Sequence, residues 1–421
     1  MKRNLVCSVA LLILMGAFAT LSAQNVDYYT QIVKELASPQ MEGRGYVGDG
    51  VRKAEKYIVE QYRRIGAPTP VLQPFKQSIN TFPGEVRMSV DGRELEPGTD
   101  FVLREFSCAA DGRHRLYYVD TNNYDFEKIS QELSKPEWEG AYAVIDFWSG
   151  RKFSEFREMG KWMKLPLGGI ICTWPTPLKF YKAYGQKVSD KPIVWGSPNF
   201  PKDAKEIDIH VDAKFLTDYE SNNIMVTIPG RQHDSCFVFL AHYDHLGHFG
   251  SDLYYPGVND NASGTAALIT LAQYYLKHKP QYDIVLLHVA GEETGLVGST
   301  YFVEHPLVPL SKIRYVINLD MIGDNNPVQY CEISEPGRRG FRLMEQLNSK
   351  KHYFDSLNLG ELAANSDHYP FAEKGVPCIL FEQQDGDFFP LYHTHLDSPR
   401  NLTAQTYLRL FPLLTTFVKK Y

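Results

Sequence analysis

Downstream of Asn223 the apolar positions fall into short unbroken runs separated by longer amphipathic stretches. Residues 224–228, 237–241, 284–289, 315–319 and 377–381 are runs of β-branched, leucine and aromatic residues with the length of strands. Residues 262–278, 298–304, 341–351 and 403–420 repeat their apolar positions every three or four residues and read as helices, the last bent at Pro412. Near the other end, residues 27–37 and 51–65 carry the same helical period; in the second, Val51, Ala54, Tyr57, Ile58 and Tyr62 share one face. Strands that are apolar throughout, alternating with helices, predict an α/β fold: a mostly parallel mixed sheet sandwiched by helices. In such sheets ligands bind beyond the carboxyl ends of the strands, so chemistry is expected just after each run.

Between residues 82 and 215 the pattern changes. Short β-like runs (85–90, 114–119, 141–147, 168–172 and 207–211) alternate with turns rich in proline and glycine, which predicts a β-rich inserted module. The stretch GAYAVIDFWSG followed by LPLGGIICT resembles a protease-associated domain; a β-rich insertion particular to this chain explains the pattern equally well. The predicted division is therefore a leader over 1–23, a helical part over 24–81, the insertion over 82–215 and the core over 216–421. The glycine-rich stretch SPQMEGRGYVGDG lacks the lysine-serine or lysine-threonine ending of a phosphate-binding loop and is expected to cap the edge of the main domain.

Composition narrows the function classes. The 421 residues carry a net charge of −6, with 43% hydrophobic and 22% charged residues, which suits a globular chain and argues against nucleic acid as a partner. Lys2 and Arg3, an apolar run over 5–21 and the small residues of Leu21-Ser22-Ala23 read as a cleaved secretory signal, so a periplasmic or secreted protein is expected, without a membrane span in the mature chain. Beyond Cys7, the cysteines Cys108, Cys172, Cys236, Cys331 and Cys378 are widely spaced and form no disulfide framework.

The polar residues that follow the predicted strands carry the chemistry. The run 237–241 ends in His242 and Asp244, and positions two apart in extended chain face the same way, so Asp244 is placed to hydrogen-bond the His242 imidazole. Asp260 follows in GVNDNASG, Glu292 and Glu293 follow the run 284–289, Asp320 follows 315–319, and His393 and His395 lie in YHTHLDSP after 377–381. Taken singly these are ordinary: a helix cap, a solvated acid pair, a hydrogen-bonded histidine. Together they gather carboxylates with no lysine or arginine beside them in sequence, and such a cluster repels itself unless a cation neutralises it. Histidine and carboxylate donors without thiolate suit zinc. Glu292 and Glu293 are neighbours that point in different directions, so one ligand and one base is a natural split.

AHYDHLG, PGVNDNASG, AGEETGLVGS, NLDMIG, SDHYPF and YHTHLDSP, in that order, resemble the successive motifs of the M28 zinc metallopeptidases, a family that includes secreted di-zinc aminopeptidases. The resemblance is dense over 224–402. It implies two Zn2+ ions per chain acting on peptide substrates. Asp260 would bridge them, His242 and Asp320 would complete one site, and Glu293 and His393 the other. Glu292 would be the general base that takes a proton from the bridging water, Tyr392 would help polarise the scissile carbonyl, and Asp244 would support His242 from behind. A cis peptide at Asp260-Asn261 is implied too. Of the remaining histidines, His245 and His248 are expected to line the cleft or face solvent, and His288 to be core. His395 falls outside the ligand set, and His368, with Ser366 and Asp367, shapes the substrate rim or serves structure alone. A glutaminyl cyclase, which shares the DH-x-PF and HT motifs, and a non-catalytic binding ectodomain are the rival readings. The intact NDNASG and GEETGLVGS favour hydrolysis of peptides, with removal of N-terminal residues as the expected activity.

Overall fold

The computed structural model of the chain describes residues 26–146, 159–183, 185–384 and 389–421. The leader read over 1–23 lies outside them, as does part of the loop at 383–390.

Helix α1 (residues 26–36) and α2 (Gly50–Arg64) lead into the long strand β1 (Val71–Thr81). Then follow β2 (Val86–Val90), β3 (Arg93–Leu95), β4 (Phe101–Leu103), β5 (Ala110–Tyr118), α3 (Phe126–Leu133), β6 (Tyr142–Asp146), β7 (Gly169–Thr173), β8 (Ile193–Gly196) and β9 (Glu206–Val211). The chain returns through β10 (Lys214–Ile228) to β11 (Gln232–His242), a short hairpin of β12 (His248–Phe249) and β13 (Leu253–Tyr254), and α4 (Gly264–Lys277). It ends with β14 (Tyr282–Val289), α5 (Val297–Glu304), β15 (Ile313–Asp320), β16 (Val328–Ile333), α6 (Arg338–Lys351), β17 (Ser356–Leu359), α7 (His368–Glu373), β18 (Cys378–Glu382) and α8 (Gln405–Lys420), which holds Pro412 inside it.

The main sheet runs β1-β10-β14-β11-β15-β18-β16-β17. Its central strands β14, β11, β15 and β18 are mutually parallel; β10, β16 and β17 run against them, and β1, paired antiparallel to β10, runs with them. The alternation along β11 explains why its run is apolar throughout. Phe237, Phe239 and Ala241 point into a large core with α1, α2, α4, α6 and α8, and Val238 and Leu240 point into a smaller one with Phe302 of α5 and Phe371 of α7. Both faces are covered from Cys236 onward, so no position there is free to be polar until His242 ends the strand.

The second sheet, β3-β2-β9-β5-β6-β7-β8-β4, encloses a core of its own. Leu246, Phe249 and Tyr255, from the loop after β11, are buried in that second core. The loop that leaves the central strand of one sheet is therefore packed by the other. Strands β1 and β10 pair antiparallel from Val71↔Met225 to Thr81↔Lys214 and carry the chain out to the second sheet and back. The apolar pattern reads only residues 224–228 of β10, because the outer part of this ribbon, KFLTDYES, is largely exposed and polar.

Candidate metal centre

The residues of the expected ligand and base set, His242, Asp260, Glu292, Glu293, Asp320 and His393, lie at or after the carboxyl ends of the parallel strands. His242 closes β11 beside Val289 of β14, and Asp320 closes β15 beside Glu382 of β18. Because these parallel strands end at the same level, side chains far apart in sequence converge. His242 Nε2 stands 3.3 Å from Asp260 Oδ1 and 3.3 Å from Asp320 Oδ1. On the other side of Asp260, His393 Nε2 stands 3.2 Å from Oδ2 and 3.1 Å from Glu293 Oε2. Each oxygen of Asp260 thus faces its own histidine and its own second carboxylate. His242, Asp260, Glu293, Asp320 and His393 are all buried.

The adjacent glutamates diverge. The Glu293 side chain is 2% exposed and turned to the histidines, whereas that of Glu292 is 12% exposed, its nearest imidazole nitrogen being His242 Nε2 at 4.0 Å. Burial is the largest influence on Glu292, and with the charges of Glu293, Asp367 and Asp320 it lifts the carboxyl well above its usual range against the pull of His242. Burial also acts against the charged form of Glu293, but His393 and the hydrogen bond from His245 outweigh it and hold that carboxyl at about 2. Tyr392 stacks on His393 with ring centroids 3.8 Å apart, and burial followed by the charges of Asp260 and Glu293 keeps its phenol protonated far above neutrality.

The loop that presents Asp260 is fastened by residues the pattern did not single out. Arg44 is fully buried and uses all of its N–H groups on backbone carbonyls: Nε donates to Tyr243 at 3.0 Å, Nη1 to Leu36 and Pro256 at 2.9 and 2.7 Å, and Nη2 to Gly257 and Asp260 at 2.7 and 3.0 Å. From the other side, Asp397 accepts from the Asn259 N–H at 3.0 Å and the Asp260 N–H at 3.2 Å. The Asp260-Asn261 peptide is cis, as the resemblance implies. The Asn261 amide then ties the turn to β15, donating to the Leu319 carbonyl at 2.8 Å.

The glycine-rich stretch is therefore not an edge cap. It carries Arg44 under the centre and crosses the loop after β11 so closely that a Cβ on Gly45 would lie 2.3 Å from the Cα of Gly247. Backbone touches backbone there, and only glycine on both sides permits it. Nor is the cluster without cations. Arg44 arrives from that stretch, and Lys182, buried in the second sheet's module, feels the field of Glu105 and Glu293.

Two further expectations change. His245 does not meet solvent: it is fully buried at the centre itself, with Nδ1 2.7 Å from Glu293 Oε1 and 3.7 Å from Asp260 Oδ2. It brings a third imidazole to the acids, and its place three residues after His242 in AHYDHLG was the available signal. Asp244 supports His242 through its backbone carbonyl, 3.1 Å from Nδ1, while its carboxylate lies 3.8 Å away. That carboxylate instead accepts from the Tyr46 hydroxyl at 3.0 Å and the Glu292 N–H at 3.3 Å, and so orients Glu292. His248 reaches Glu42 at 2.7 Å, and His288 sits in the core against the Tyr62 hydroxyl at 2.7 Å. In SDHYPF, Ser366 donates to Asp320 Oδ2 at 2.7 Å, Asp367 accepts from Ser299 at 2.6 Å, and His368 is buried 3.4 Å from Glu332.

The donors fit zinc. Two ligands of a tetrahedral ion at about 2.1 Å stand about 3.4 Å from each other, and the imidazole-carboxylate separations above are 3.1–3.3 Å. Asp260 Oδ2 is buried without a hydrogen-bond donor, which leaves its lone pairs directed at the centre.

Comparison with known proteins agrees. Residues 223–418 match the family model of peptidase family M28. This part of the chain belongs to peptidase family M28. The chain is 28% identical over 214 residues to the aminopeptidase YwaD of Bacillus subtilis, covering 49% of this chain and 46% of that one. It is 33% identical over 217 residues to a protein named "Probable zinc metalloprotease" from Leptosphaeria maculans, covering 42% and 49%. The aligned parts span about half the length of these curated relatives. A zinc aminopeptidase structure from Bacillus subtilis superposes with TM-score 0.70 at 20% identity over 93% of both chains. An M28 peptidase precursor from Shewanella amazonensis does so with TM-score 0.70 at 16% identity over 95% of both. At those identities the likeness establishes the fold, a mixed α/β architecture with both sheets included.

Proposed function

We propose that this chain is a zinc-dependent peptidase that removes N-terminal residues from peptides and holds two ions, with Asp260 shared between them. The observation that carries the reading is the division of Asp260, whose Oδ1 faces His242 and whose Oδ2 faces His393. His242 and Asp320 would hold one ion, and Glu293 and His393 the other. Zinc bound there supplies a Lewis acid for the scissile carbonyl and lowers the pKa of water. Glu292 then takes a proton from the attacking water and returns it to the leaving amine nitrogen as the C–N bond breaks, leaving one carboxylate and one amine. Tyr392, kept protonated, donates to the oxygen that gains charge in the transition state. Asp244 keeps the backbone of Glu292 in place for both transfers.

Asp260→Ala is expected to lower bound zinc from about two ions per chain to one or none, read by elemental analysis of the purified protein. Full occupancy in that variant rejects the shared ligand. The activity itself is tested by digesting a peptide library with the zinc-loaded protein and reading the products by mass spectrometry. Trimming from the amino end supports the proposal, trimming from the carboxyl end rejects it, and cyclisation of N-terminal glutamine in place of hydrolysis favours the cyclase alternative. We also read the chain as exported; a mature protein that begins at Gln24 agrees with this, and one that retains Met1 does not.

A further inference from the structure

A metal-bound histidine usually donates its second ring nitrogen to a carbonyl or carboxylate, which fixes the ring's orientation. His242 follows that rule through the Asp244 carbonyl. His393 does not: its Nδ1 is buried and has no hydrogen-bond partner. Something else has to hold the ring, and its backbone sits at φ +57°, a conformation that a side chain disfavours.

What surrounds His393 is aromatic, and half of it comes from the second sheet's module. Tyr392 stacks on one side of the imidazole at 3.8 Å and 24°. Tyr181 meets the ring edge-on, with centroids 4.7 Å apart and planes at 67°. The neighbouring Phe180 N–H donates to the His393 carbonyl at 2.9 Å. The segment alternates. Leu178, Phe180 and Lys182 are buried, with Leu178 and Phe180 in the module's own core, while Lys179 and Tyr181 turn to Tyr392 and His393. Tyr181 is braced in turn by Trp195, edge-on at 5.9 Å, and Trp195 is stacked on Trp174 at 5.0 Å and carries the Arg104 guanidinium at 4.4 Å. This row of planar groups runs from the interior of the second sheet to a residue of the metal centre.

We propose that the second sheet's module is a positioning device for the metal centre, in which Tyr181 and the Phe180 N–H set the ring and backbone of His393 in place of the missing polar partner. Tyr181 acts through His393 and not on the substrate. The inference rests on the zinc reading above and extends it, since it makes one half of the centre depend on a module outside the family-matched stretch.

The test is zinc affinity, measured by chelator competition on the full chain and its Tyr181→Leu and Tyr181→Phe variants, each alone and combined with His393→Ala. Loss of an outer partner of a ligand typically weakens metal binding about 10–100-fold. Tyr181→Leu is expected to weaken zinc by that factor, and Tyr181→Phe, which keeps the ring, to stay within about twofold of wild type. In the His393→Ala background, Tyr181→Leu is expected to add no further loss, because the group it positions is gone. Unchanged affinity in Tyr181→Leu overturns the proposal, as does an equal loss with and without His393. Should Tyr181→Leu fail to fold, Tyr181→Met, flexible and without a ring, carries the same comparison. A wild-type chain that binds no zinc overturns the metal reading and this proposal with it, whereas zinc binding that ignores residue 181 overturns this proposal alone.

Discussion

The Glu292→Gln variant is expected to bind zinc as the wild type does and to hydrolyse peptides about 10²- to 10⁴-fold more slowly, the usual worth of a general base. Glutamine keeps the shape and the backbone hydrogen bond to Asp244 but accepts no proton at neutral pH. The geometry separates this residue from its neighbour. Glu293 Oε2 is 3.1 Å from His393 Nε2 and almost fully buried, as a ligand would be, while Glu292 reaches no closer than 4.0 Å to His242 and retains some exposure, as a base that must meet water would. Glu293→Gln should therefore lose metal as well as turnover. The measurement is kcat beside zinc content for both variants. A wild-type rate in Glu292→Gln sinks the assignment of the base, and a loss of zinc in it would make Glu292 a ligand.

Arg44→Met is expected to destabilise the chain by about 3–5 kcal/mol, the range for removing one partner from a buried charged network. The substitution strands the carbonyls of Leu36, Tyr243, Pro256, Gly257 and Asp260 away from water. Each stranded acceptor alone costs about 1–3 kcal/mol, and relaxation of the loop keeps the total below the sum. Part of the loss is offset because burial itself works against the Arg44 charge, lowering its pKa to about 10 in spite of Asp260, Asp397, Asp244 and Glu293. Arg44→Lys should rescue little, since an ammonium has three donors and no planar fork. Urea unfolding of the three proteins gives the comparison, and a change under about 1 kcal/mol in Arg44→Met would show that the loop stands without it.

The same two residues mark how far the sequence could be read. Glu292 was legible because it follows a strand buried on both faces, and such strands announce themselves as unbroken apolar runs ending in the cleft. His242, Asp260, Glu293, Asp320 and His393 were legible for the same reason, and their convergence needs only that the strands be parallel and end at one level. Arg44 was not legible, since nothing local distinguishes an arginine in a glycine-rich loop from one in solvent, and its partners lie up to 216 positions away. His245 and Asp397 share that difficulty; both were quoted within motifs, but their side-chain partners depend on how loops fold back. The outer half of β10 went unread because it is largely exposed. β1 went unread because its buried face carries Gln73, Gln77, Asn80 and Thr81 beside Phe75 and Ile79 while Val71 and Leu72 are exposed, which leaves no apolar period to detect. β16 and β17 were missed as well, short strands at the opposite sheet edge.

The loop bearing Asp260 is held by Arg44 from early in the chain and by Asp397 from late in it. A ribosome delivers these residues in order, at about 5–20 residues per second. The loop therefore leaves the ribosome after its first anchor and waits for its last, so the centre cannot close until the chain through Asp397 has been made. Contacts of such long sequence separation are also slow to form. A nascent chain with its main-sheet strands already paired would still lack a finished centre until Asp397 has emerged, which separates the pairing of the sheet from the closing of the site.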